Sequence, residues 1–180
     1  NDIFNNYSAI AAENPECFVP LSGLKFIKKH SLNSKLKINY LLISNNYKDF
    51  GYRNFDLCHC IPSFTTVVQY AILIAIYMGF SEIYLLGCDS TGIVTTINCA
   101  LNESNSEMHA YDNDNSEKEL NELLQHWKMS EVFKDQYYLF GGYEYLYDYC
   151  QKHNIKLVNC SDKTLITSIP RKRLSDVLGE

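Results

Sequence analysis

Basic residues are scarce: 16 Lys and Arg against 21 Asp and Glu leave a net charge of −5 on 180 residues. A nucleic-acid or anionic-membrane binder needs a basic footprint. The balance therefore excludes a general binder of either kind, while allowing a local basic pocket for one phosphorylated ligand. A disulfide framework is missing as well. The seven cysteines (Cys17, Cys58, Cys60, Cys88, Cys99, Cys150, Cys160) are odd in number and scattered, several of them inside apolar runs. That pattern points to reduced thiols in a cytosolic protein. Cys58-His59-Cys60 is the one cluster of ligand type. Without a second pair at zinc spacing, its cysteines read as buried thiols on one face of a strand, with His59 on the other. The opening Asn1-Asp2-Ile3 offers no Met, basic n-region or apolar h-region. It reads as the start of a fragment of a longer chain, with no secretory signal. A transmembrane segment is not expected: residues 63–78, the most apolar, barely reach the length that a ~30 Å hydrocarbon core demands, and they include Gln69.

What is present suits a packed interior. A hydrophobic share of 46%, with 13% aromatic, excludes intrinsic disorder. The length supplies one sizeable core and is short for two, so residues 1–180 read as a single domain without repeats or a linker. Strands and helices alternate along it. Residues 17–19 form a short apolar run, and Ser22 can cap a helix reaching His30. Residues 38–44 read as a strand, 45–54 as a polar loop and 57–61 as a short strand closed by Pro62. Ser63 then caps a nearly all-apolar helix, 63–78, that Gly79 stops. Residues 82–87 follow as a continuous apolar strand of the kind buried on both faces of a parallel sheet. Strand, helix and strand with short joints make a βαβ unit with a right-handed crossover.

Beyond it, residues 90–115 are rich in Asn, Ser and Asp without periodicity and read as a long loop. Ser116, with Glu119 three residues on, opens a helix carrying Leu120, Leu123, Leu124 and Trp127 on one face. Gly141-Gly142 interrupts, residues 143–153 form an amphipathic helix, 155–159 a last strand and 171–178 a short closing helix.

Ligands of open α/β sheets bind beyond the carboxyl ends of the strands, and three segments of chemical interest lie at such ends. Ser63, Thr65 and Thr66 open the apolar helix, where unpaired amides and the dipole suit a phosphate; the simpler alternative is that Ser63 only caps. Gly87-Cys88-Asp89-Ser90-Thr91-Gly92 follows the strongest strand. Its small residues admit a ligand to the backbone, and Asp89 can hold a ribose hydroxyl, a metal or a loop amide, or simply form a turn. His109, in the polar loop with Tyr111, has the side chain of a general acid or base. His30 and His153 read as helix C-terminal residues that complement the dipole, and His126 as a solvated one. Tyr143, Tyr145, Tyr147 and Tyr149 read mainly as packing; Tyr138 and Tyr143 can also face a ligand, though the sequence selects neither.

A hydroxyl residue opening an apolar helix, then Gly79-Phe80-Ser81-Glu82-Ile83-Tyr84-Leu85, then Gly87-Cys88-Asp89, is nearly continuous from Thr65 to Asp89. This stretch resembles the core of the bacterial 6-hydroxymethylpterin diphosphokinase-like and motility-associated-factor-like proteins, which are related to the lipooligosaccharide sialyltransferases. Weaker similarity runs through His109-Ala110-Tyr111 and the C-terminal helices. The resemblance implies a Rossmann-like three-layer α/β/α fold with a mostly parallel sheet that lacks the family's N-terminal strand and its Gly-Asn-Gly-type turn. It implies a cytoplasmic glycosyltransferase that moves a sugar from a nucleotide-sugar, such as a CMP-sugar, to a cell-surface glycan acceptor, with no cofactor and no metal. Peripheral membrane association and a homo-oligomer fit that picture; nucleic acid does not. By the same resemblance, Ser63, Thr65 and Thr66 flank the donor. Gly87, Asp89, Ser90, Thr91 and Tyr111 sit about the nucleotide, and His109 is the base on the acceptor hydroxyl. Ser90-Thr91 stands where the sialyltransferases carry an aromatic pair with a phosphate-binding tyrosine, so a hydroxyl of shorter reach survives at Thr91. Two alternatives share the scaffold. One is a diphosphokinase-like enzyme needing ATP, Mg²⁺ and more acidic ligands, for which only Asp112, Asp114, Glu117 and Glu119 are grouped. The other is a non-catalytic assembly module of surface-polysaccharide synthesis.

Overall fold

The computed structural model describes residues 16–34, 36–101 and 128–179. It is a mixed α/β structure that divides into two compact units, residues 1–63 and 64–180. The first holds a three-stranded parallel sheet in the order β1-β2-β3, made of β1 (Glu16–Pro20), β2 (Lys37–Asn46) and β3 (Cys60–Ser63). Glu16 pairs with Lys37 through Pro20 with Leu41, and Leu42 with Cys60 through Asn46 with Ser63. A parallel pair needs a crossover, supplied between β1 and β2 by the short helix α1 (Leu24–Lys29), whose Ile27 is buried. Gly23, not Ser22, is its N-cap, and His30 its C-cap. The expected polar loop after β2 contains one helical turn, α2 (Tyr47–Phe50), capped by the Asn46 side chain, which accepts from the Lys48 amide at 3.1 Å.

The second unit begins with α3 (Val67–Tyr77). Its cap is Thr66; Ser63 belongs to the end of β3, so the helix starts three residues later than its first hydroxyl suggests. The physical reason is Gln69. It stands third in the helix, and its carboxamide oxygen accepts from the Thr66 amide at 3.2 Å, the return half of a capping box. Gly79 (φ 85°) stops the helix as expected, in a Schellman turn: Phe80 N donates to Ala75 O at 3.2 Å and Gly79 N to Ile76 O at 3.0 Å. Next comes β4 (Glu82–Leu85), shorter than the apolar run. Only Leu85 is buried, Ile83 and Tyr84 are half-buried and Glu82 is exposed, so the strand is not covered on both faces throughout.

Where a structureless loop is expected, α4 (Gly92–Ala100) follows. Its five consecutive residues Ile93, Val94, Thr95, Thr96 and Ile97 are all β-branched and have low helix propensity. Thr91 nevertheless starts the turn, with Val94 N donating to Thr91 O at 2.8 Å. The predicted helix from Ser116 lies outside the described residues. Gly141-Gly142 interrupts nothing: α5 (Met129–Lys152) runs through both, with Tyr149 stacked at 4.1 Å on its C-cap His153. β5 (Lys156–Asn159) then pairs in parallel with β4, Glu82 with Lys156 through Leu85 with Asn159, and α6 (Leu174–Leu178) ends the chain's described part.

The core of this unit lies between α3, α5 and the β4–β5 sheet. One face of α5 buries Val132, Tyr143, Tyr145, Leu146, Tyr149 and Cys150, a helical spacing that meets Ile72 and Leu73 of α3 and Leu157 and Val158 of β5 in the buried interior. At Gly142 the backbone of α5 lies directly against the Gln69 side chain of α3. A β-carbon there would lie 2.4 Å from the Gln69 side-chain nitrogen, so only glycine lets α5 pass over that residue. Gly142→Ala is therefore expected to destabilise by about 1–3 kcal/mol in urea unfolding. Gly23→Ala, whose added carbon meets nothing within 4 Å, is expected to stay within about 0.5 kcal/mol of the parent. Equal midpoints would remove the close approach.

Candidate functional site

In the first unit the apolar groove of about 710 Å³ beside β1 and α1 has walls of carbon, with Cys17 the only side chain among its lining that bears a heteroatom. Nothing polar converges there to orient a ligand. Cys58 and Cys60 are exposed rather than buried, because Asp56 holds the Cys58 amide in a turn at 2.9 Å and strand pairing starts only at Cys60. Asp56 also takes His59 Nδ1 at 2.7 Å. Among the described residues no three His, Cys, Asp or Glu gather about a common point.

Polar groups do converge in the second unit, at the carboxyl end of β4. Gly87 (φ 66°) turns the chain out of the strand, and Ser90 (φ 54°) is left-handed without being glycine, a strain of about 1–2 kcal/mol. The loop between them is tied down from several sides. Cys88 N donates to Ser161 Oγ at 2.7 Å, and Cys88 O accepts from Asn159 Nδ2 at 3.1 Å and Thr164 Oγ1 at 2.9 Å. Asp89 O accepts from Leu165 N at 2.8 Å. Asn159 is fully buried and Ser161 nearly so, which makes these bonds costly to leave unmade. The Asp89 carboxylate accepts from the Thr91 amide at 3.1 Å; of its possible roles, holding a loop amide is the one this geometry displays.

The amino end of α3 faces this loop across Tyr143. The phenol oxygen is 3.4 Å from Thr66 Oγ1, and the Ser90 hydroxyl lies near enough to act on its proton affinity. Thr66, Ser90 and Tyr143 thus form one hydroxyl cluster contributed by α3, the β4 loop and α5. Burial pushes the Tyr143 phenol above its ordinary range, opposed by the neighbouring Thr66 and Ser90 hydroxyls, so at neutral pH it keeps its proton and can donate. Burial first, and the neighbouring Asp89 charge second, raise the Cys88 thiol in the same way.

The expected anion cradle at the start of α3 is largely occupied from within. Phe64 N donates to Tyr70 Oη at 2.9 Å, and the Thr65 and Thr66 amides share Gln69 Oε1 at 3.0 and 3.2 Å. What this segment offers a ligand is hydroxyls rather than those three amides. Compared with family models, curated proteins and solved structures, the chain finds no match.

Of the residues singled out from sequence, Thr66, Gly87, Asp89, Ser90 and Thr91 come together around Tyr143 and the β4 loop. Thr65 is exposed beside them. Ser63 lies in the other unit, and His109 and Tyr111 lie outside the described residues. Sequence reading gave no role to Asn159, Ser161, Thr164 or Gln69. The signal for two of them was present: Gln69 is a polar residue inside an apolar helix and Asn159 one at the end of an apolar strand. Removing the charge with Asp89→Asn is expected to lower the Cys88 pKa and speed its alkylation by iodoacetamide at pH 8, read by peptide-resolved mass spectrometry. An unchanged rate would uncouple the two side chains.

Proposed function

We propose that this chain is the Rossmann-like α/β/α domain of a bacterial glycosyltransferase, carrying a sugar from a nucleotide-sugar donor such as a CMP-sugar to a cell-surface glycan acceptor at the cytoplasmic side. The observation that carries the reading is the hydroxyl cluster of Thr66, Ser90 and Tyr143 at the carboxyl end of β4. It occupies the edge where α/β sheets receive ligands; its Thr66 falls within the stretch, Thr65 to Asp89, that resembles the sialyltransferase core, and Ser90 directly follows that stretch.

In such a transfer the acceptor oxygen bonds to the anomeric carbon as the bond from that carbon to the CMP phosphate breaks. Negative charge builds on the departing phosphate, and neutral hydroxyl donors held in place beforehand stabilise it without reorganising. Tyr143 suits that role because it stays protonated and its hydroxyl is held beside those of Thr66 and Ser90. Asp89, next to them, serves a sugar or ribose hydroxyl through the carboxylate oxygen that does not hold Thr91. The acceptor hydroxyl is a weak nucleophile and loses its proton to a base; His109 is our assignment for it, on the resemblance alone.

CMP is expected to raise the thermal midpoint, with a smaller response in Tyr143→Phe. Loss of one such hydrogen bond corresponds to about 1 kcal/mol, or roughly fivefold in Kd. Hydrolysis of a CMP-activated sugar should fall about 10²–10⁴-fold in His109→Ala. A heat shift with ATP and Mg²⁺ and none with CMP would overturn the reading.

A further inference from the structure

The chain is acidic overall, yet three of its 16 basic residues stand side by side at Arg171-Lys172-Arg173. All three are exposed, and the ion pairs among the described residues (Glu16 with Lys37, Asp56 with His59, Glu82 with Lys156) involve none of them. Their backbone is nevertheless fixed. Asn159 N donates to Pro170 O at 3.0 Å and Lys172 N donates to Asn159 O at 3.1 Å, so Arg171 lies in a parallel bridge with the last residue of β5. Upstream, the fully buried Ile166 and Ile169 anchor the approach to it.

That bridge determines where the charges sit. Cys160 N donates to Leu85 O on the β4 side of β5, whereas the Asn159 backbone bonds outward to residues 170 and 172. The order is therefore β4, β5, then the basic segment, which lies two strand spacings, roughly 10 Å, from β4. The Asn159 side chain turns the other way, to Cys88 O. One buried residue thus ties the basic segment to the loop that carries Asp89 and Ser90, on the same carboxyl edge of the sheet. Asp176, on α6, is the nearest acid downstream in sequence and makes no ion pair with the segment.

Two guanidinium groups and an ammonium, unneutralised and held on a fixed backbone, are donors suited to phosphate oxygens. In a chain of net charge −5, such a local field also offsets the general repulsion of an anion. We infer that Arg171 and Arg173, which the extended backbone puts on one face while Lys172 adds its charge from the other, form a ledge that binds the phosphate of a free nucleoside phosphate whose remaining part lies toward Asp89, Ser90 and Tyr143. This rests on the nucleotide reading above for the identity of the ligand, but not for its phosphate.

The test compares CMP, cytidine and inorganic pyrophosphate by calorimetry on the parent chain and on Arg171→Ala/Lys172→Ala/Arg173→Ala, with the thermal midpoints of both recorded. A milder variant, Arg171→Gln, is measured alongside in case the triple variant does not fold. The parent should bind CMP more tightly than cytidine. The triple variant should bind CMP about tenfold more weakly or worse, the worth of one charge-assisted contact, while binding cytidine unchanged. Pyrophosphate bound by the parent and lost in the variants, with CMP no better than pyrophosphate, would remove the nucleotide reading and keep the ledge. CMP and pyrophosphate affinities that ignore the substitutions, or no binding of either by the parent, would overturn the ledge. Binding only to phosphatidylglycerol vesicles, abolished in the variants, would also overturn it, by assigning the charge to a lipid surface.

Discussion

The carboxamide of Gln69 holds the second unit's working edge together. It is fully buried, and it bonds to backbone: its oxygen accepts from the Thr65 and Thr66 amides and its nitrogen donates to Leu139 O at 2.7 Å. One side chain therefore caps α3 and clamps it to α5. A buried amide with any of these bonds unmade would cost more than the bonds contribute, so the arrangement is all or nothing. Gly142 exists in that packing because the clamp leaves no room for a β-carbon. With the two helices so locked, Tyr143, one residue further along α5, has its hydroxyl delivered to Thr66.

The opposite side of the cluster is set by a second buried amide. Asn159 ends β5 and bonds through its side chain to Cys88 O and Thr164 Oγ1, while its oxygen takes Ser161 N at 2.9 Å. The loop after β4 is consequently held against the segment after β5, and the left-handed Ser90 is kept in a conformation it would leave if unsupported. Two carboxamides, one on each side, thus position three hydroxyls that belong to three different elements. Rigid support of this kind allows a neutral donor to act on developing charge without first being organised.

Much of the local structure was legible. The alternation of strands and helices, the Gly79 stop, the last strand and the closing helix follow from periodicity and turn chemistry and appear within a few residues of their expected limits; the expected βαβ unit with its right-handed crossover is not formed, since β3 pairs in the first sheet and β4 in the second. The start of α3 was misplaced because Ser63 and Thr66 both offer a hydroxyl; Gln69, three residues beyond Thr66, is the feature that separates them. α4 is hidden because residues 90–115 read as one polar stretch rich in Asn, Ser and Asp without periodicity, and its β-branched run carries low helix propensity as well. Thr66, Asp89 and Ser90 are legible as candidates because position at a strand end or helix start is a local property. Tyr143 was not: choosing it among alternating tyrosines requires knowing which turn of α5 crosses α3, and that depends on Gly142, which by sequence looked like a helix break.

The central claim, that the two buried amides present one hydroxyl cluster to a nucleotide, is tested most directly by a residue-resolved NMR titration of the chain with CMP. The account predicts saturable amide shifts concentrated at Thr66, at residues 88–91 and at Tyr143. Shifts confined to other parts of the chain, or none at millimolar CMP, would contradict it.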